Sequence, residues 1–148
     1  MFSIKTWLLI VPILLLSCSK VELNSENVDS DIRDPFIGNW TFNGWHHETV
    51  VGDFQNSDDY YDINQYQGKV IKATSYTLTG KIIEIQYYDN CSQKFRVLEN
   101  GDILSGDNST VLGHFDSNTL ELGWSTSSVS VNSGTQTTKN VSITAVKN

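Results

Sequence analysis

The sequence predicts an all-β fold, a small antiparallel up-and-down β-barrel of about eight strands. Three observations carry that expectation. From Pro35 onward no stretch holds a helical period of useful length. Short runs alternate apolar and polar residues instead, and turn-forming pairs separate them at regular spacing. Closing such a meander also removes the exposed edges that a flat sheet leaves open to pairing with other chains, which favours a barrel over a sandwich.

Residues 1–17 precede the domain and read as a signal peptide. Lys5 supplies a positive start, Trp7 to Leu16 is an apolar run interrupted only by Pro12, and Leu14-Leu15-Leu16-Ser17-Cys18 closes it as a lipobox. The run is too short for a comfortable transmembrane helix, so cleavage before a lipid-bearing Cys18 is the expectation. Removal leaves 131 residues (148 − 17), enough for one domain with a real core. It also removes Lys5 and no acid, so the mature formal charge is −8 (9 basic minus 17 acidic residues). That balance repels phosphate backbones and excludes nucleic acid as an expected partner. Residues 18–34 comprise the lipidated cysteine and a polar, acidic linker without periodicity. A flexible chain of that length reaches about 20–25 Å. Ser19-Lys20-Val21-Glu22 lacks an aspartate at the second position, so the outer membrane is the expected location, with its face left open.

The folded domain is expected over residues 35–148. Its first strand sets Trp40 and Phe42 on one face. Over Lys81–Tyr88, Ile83, Ile85 and Tyr87 share one face while Glu84, Gln86 and Tyr88 share the other. Phe95 and Val97 alternate with Lys94 and Arg96; Leu120, Leu122 and Trp124 with Glu121 and Gly123; Val141, Ile143 and Ala145 with Ser142 and Thr144. Each run thus has one face to bury and one to wet. Breaks are expected at Thr79-Gly80, Asp89-Asn90, Asn100-Gly101, Asp107-Asn108, Ser117-Asn118 and Ser133-Gly134. Asn100-Gly101 is the strongest, as a two-residue type I′ turn with positive φ at both positions.

Gly38-x-Trp40 at the opening of the first strand resembles the Gly-x-Trp signature of lipocalin-like families. Together with the lipobox, the acidic linker and the meander, the chain resembles the small lipocalin-like lipoproteins of Gram-negative envelopes over residues 35–147. The resemblance implies a barrel whose end is closed by Trp40, and a binding role for small ligands. No lipocalin-type disulfide is expected: lipidation of Cys18 leaves Cys91 as the second and last cysteine.

No catalytic constellation stands out, and an enzyme is not expected. There is no Gly-x-Ser-x-Gly elbow or phosphate-cradling loop, and Cys91, in a turn after Asp89-Asn90, has no histidine near it in sequence. His46-His47-Glu48 sends its two histidines to opposite strand faces; His46 and Glu48 share a face, and His114 could join them across the barrel as a metal ligand. Asp53, Asp58, Asp59 and Asp62 lack the ligand alternation of a calcium loop and read as a solvated patch. No metal or other cofactor is expected. The aromatics carry the binding expectation: Trp45, Tyr60, Tyr61 and Tyr88 are the candidate ligand contacts, because acids and amides flank the tyrosines. The expected function is a membrane-anchored, noncatalytic module that takes a small apolar or aromatic ligand at one barrel end. The alternatives are an envelope accessory subunit with a filled core, docking a protein partner, and, behind it, a small hydrolase.

Overall fold

The computed structural model describes residues 30–105 and 110–148. The lipobox, Cys18, most of the linker and the Asp107-Asn108 turn lie outside the described residues. Eight strands follow one another: β1 (Gly38–Val51), β2 (Asn56–Ala73), β3 (Ile82–Tyr88), β4 (Cys91–Val97), β5 (Asp102–Leu104), β6 (Val111–Asp116), β7 (Thr119–Ser130) and β8 (Thr135–Lys147). Each pairs antiparallel with the next and β1 pairs with β8, giving the closed up-and-down barrel that the alternation predicts.

The predicted inward faces are the buried ones. Ile83, Ile85, Tyr87, Phe95, Val97, Leu120, Leu122, Val141, Ile143 and Ala145 join Trp40 and Phe42 in one apolar core. At the chain-entry end a 3-10 turn over Asp34–Phe36, with Pro35 at its start, leads into β1. Phe36 stacks on Phe115 with centroids 4.6 Å apart, and Trp40 tilts against the same ring at 5.4 Å. The Trp40 indole N–H donates to the Phe36 carbonyl at 3.0 Å, so its polar atom is satisfied inside the core. Lys147 donates to the Pro35 carbonyl at 2.6 Å and lies 6.0 Å from the Trp40 ring centroid. Trp40 therefore plugs this end.

Among the described residues, contacts with the barrel reach back to Asp31, which the sequence assigns to the linker and which lies 3.6 Å from Lys72. Arg33 donates to the Ile82 carbonyl at 3.0 Å and to the Asp31 carboxylate, which its guanidinium holds well below the usual carboxylate range. One turn differs from expectation. Gly101 adopts φ 92° but Asn100 does not take a positive φ, so Asn100-Gly101 is not type I′. The Gly101 N–H instead bonds the Leu98 carbonyl at 3.0 Å, and the Leu98 N–H the Asp102 carbonyl at 2.9 Å. This is the longer hairpin loop in which a glycine follows a β-turn, and only the last position needs the left-handed region.

The strands are unequal, and that positions the site. β2 pairs with β3 only over Lys69–Ala73, and β7 with β6 only over Thr119–Leu122. The remainder of β2, β1, β8 and β7 runs on as a four-stranded ribbon past the core. β4 meets the short β5 through Arg96↔Leu104 and Val97↔Ile103 alone. Among the described residues, the Cys91–Phe95 part of β4 therefore has no strand on its second side, nor has β7 beyond Leu122.

Candidate functional site

Those two unpaired stretches border a lateral cleft of about 570 Å³. Phe95 and Trp124 form its aromatic floor, their rings edge-on with centroids 5.1 Å apart. Leu78 and Leu112 add apolar wall, and Ser75, Thr77, Ser92, Gln93, Ser125 and Thr126 give a hydroxyl- and amide-bearing rim. Gln93 pairs with the buried Ile85 and so points to the inner side of the sheet, yet it is exposed. The wall is open there, and Trp124 keeps 9 % of its surface. Lys94 adds one cationic group to that rim. A ring-lined slot with a polar rim is the composition of small-molecule sites in general.

A polar cluster lies behind this floor. His46 sits opposite Val141 on β8, which sits opposite Trp124 on β7, so all three share one inward row. His46 is 2 % exposed. Its Nδ1 lies 3.7 Å from the Cys91 Sγ, and its Nε2 has no hydrogen-bond partner, with Glu48 Oε2 at 3.8 Å. Burial, and then the Lys139 charge, push the imidazole below its ordinary value. Burial pushes the Cys91 thiol up, and the Tyr87 ring contacts both His46 and Trp124.

The four candidate ligand contacts do not converge. Trp45 stacks on Tyr60 at 6.1 Å, while Tyr61 meets Tyr88 at 5.9 Å. His46 is the buried partner of Tyr61, so Tyr61 faces inward and its chain neighbour Tyr60, with Trp45, faces outward. Tyr88 continues to Tyr66 at 5.5 Å, beside Cys91. The histidines split as expected: His47 is on the outer face with Asp58, whose carboxyl it holds down. His114 does not join His46 and Glu48. It is bound to Asp102 at 2.9 Å on an exposed face, because β6 lies across the barrel with that side outward. Among the described residues no group of three His, Cys, Asp or Glu side chains is disposed to hold a metal ion.

Trp124 and Phe95 read in sequence as ordinary inward residues. The available signal was the change from Leu120-Glu121-Leu122-Gly123-Trp124 to Ser125-Thr126-Ser127-Ser128, where β7 leaves the core. Comparison of the chain with protein-family models, with curated proteins and with solved structures finds no match.

Proposed function

We propose that this protein is a membrane-anchored, noncatalytic lipocalin-like module that holds a small apolar or aromatic ligand in the lateral cleft. The cleft floored by Phe95 and Trp124 carries the reading, because it sets two aromatic rings of the core at an opening in the barrel wall. Apolar area on the two rings would supply affinity, and the serine, threonine and glutamine rim would orient a hydroxyl or carbonyl. The lipobox supports an anchor on Cys18 at the outer membrane. Because β1 starts at the chain-entry end, its far tip stands about 45 Å away, at about 3.3 Å per residue over 14 residues. Glu48, Asp53, Asp58 and Asp59 lie toward that tip, which suits an orientation away from anionic headgroups.

A second reading has its own observation. Phe54 and Val131 are 98 % and 91 % exposed at the two hairpin tips, which meet where Gly52 approaches Thr135. An envelope protein docking on those tips would make the barrel an accessory subunit. Native mass spectrometry of residues 19–148, purified from a Gram-negative host, separates the two. A mass increment that vanishes on denaturation and in Trp124→Ala supports the binding module. A bare mass with a partner captured through Phe54 supports the accessory subunit.

A further inference from the structure

Cys91, His46 and Glu48 come from the ends of two strands and form a chain: Sγ to Nδ1 at 3.7 Å, Nε2 to carboxylate at 3.8 Å. We propose that Cys91 is a nucleophilic thiol with His46 as its general base, and that it adds to a neutral conjugated carbonyl compound entering beside Tyr66 and Tyr88. The site is distinct from the lateral cleft and does not depend on it.

The proposal assigns the proton positions, with the thiol as donor and Nδ1 as acceptor across the 3.7 Å contact. A thiol donating to Nδ1 leaves the ring hydrogen on Nε2, where it points toward Glu48 without reaching a hydrogen bond. A buried imidazole with an unpaired N–H is costly, about 1–3 kcal/mol in ordinary proteins. That gap closes when the ring takes a second proton, since the imidazolium then attracts the carboxylate. Lys139 holds Glu48 at 3.0 Å and limits its approach, which fits a base that is neutral at rest.

Cys91 lines a second hollow of about 290 Å³ together with Tyr66, Gln86, Tyr88, Asn90 and Ser92, and this is the proposed route to it. The two tyrosine rings offer flat faces, and the amides and hydroxyl offer donors to a carbonyl oxygen. Burial disfavours the charged form of both thiol and imidazole, so the sulfur reacts only as His46 removes its proton during attack. The flat tyrosine faces beside Cys91 suit a planar conjugated carbonyl as the electrophile. The Sγ–Cβ bond forms, the C=C π pair moves onto Cα, and Nδ1 takes the thiol proton. That proton ends on Cα. The product is a saturated thioether; nothing leaves and no oxidant is consumed.

The test is the pH–rate profile of Cys91 adduct formation with methyl vinyl ketone, read by peptide mass on the detergent-solubilised full chain. Titratable groups around the pair are His47, Glu48, Tyr61, Tyr66, Tyr87, Tyr88, Asp89 and Lys139. A thiol acting alone reacts in proportion to its thiolate, gaining about tenfold per pH unit up to its pKa. The proposal expects a rate nearly flat between pH 7 and 8.5, and a loss of about tenfold or more at pH 7 in His46→Gln with return of the steep slope. Glu48→Gln should lower the rate by less and keep the flat profile. A wild-type rate that climbs tenfold per unit throughout, or no adduct at Cys91, overturns it. The wild-type profile decides even where a His46 variant fails to fold.

Discussion

Replacing Trp40 tests the packing logic of the closed end. Trp40 is fully buried, its indole N–H bonds the Phe36 carbonyl, and its ring meets Phe115. Trp40→Phe keeps an aromatic ring but removes roughly 50 Å² of apolar surface, about 1 kcal/mol at 25 cal/mol per Å². It also leaves the Phe36 carbonyl without its donor, a further loss of about 1–3 kcal/mol. Together these give a destabilisation of about 2–4 kcal/mol. Trp40→Ala adds a cavity and should cost about 3–5 kcal/mol for the ring, with the hydrogen bond on top. Urea denaturation of residues 19–148 followed by circular dichroism reads both values. The Phe variant should retain a cooperative transition at lower urea. A Trp40→Phe midpoint equal to wild type would refute the reasoning, since neither the hydrogen bond nor the lost area would then matter.

Gly68 backs onto a tight wall: a Cβ there would lie 2.0 Å from the Gln86 carbonyl oxygen and 2.7 Å from the Phe42 ring, so Gly68→Ala should cost about 1–3 kcal/mol or more in the same assay. His46 gives a pH signature. Its folded-state pKa is pushed below the ordinary 6.5 by burial and then Lys139, so the folded state binds fewer protons than the unfolded state. Stability should be complete above pH 6.5 and fall as pH drops below it, and His46→Phe should flatten urea midpoints in that window. Cys18→Ser in the full chain should abolish palmitate labelling and release the protein from membranes; persistent labelling would contradict the lipobox reading.

Alternation carried most of the fold. Ile83, Ile85 and Tyr87, or Val141, Ile143 and Ala145, can satisfy only one face of a strand, and the barrel is what buries all such faces at once. The same period places His46 inward and His47 outward. Applied to Tyr60 and Tyr61 it also separates them, so Trp45, Tyr60, Tyr61 and Tyr88 divide between two faces. What remained illegible depends on pairing between distant segments. Cys91 and His46 are 45 residues apart, and only the wrap of β1 through β4 brings them together. The cleft exists because β5 is three residues long, and nothing local in Asp102-Ile103-Leu104 says where its ladder stops. Likewise Asn100-Gly101 suits two loop types, and the Leu98 hydrogen bonds select one.

The cleft as ligand site is most directly tested by fluorine NMR of residues 19–148 carrying 5-fluorotryptophan, titrated with the neutral aromatic probe N-phenyl-1-naphthylamine. Three tryptophans report: Trp40 in the plug, Trp45 on the outer face and Trp124 on the cleft floor. The account predicts a saturable shift of the Trp124 resonance while Trp40 stays fixed. A shift of Trp45 with Trp124 unmoved would place the ligand on the outer aromatic pair and contradict it.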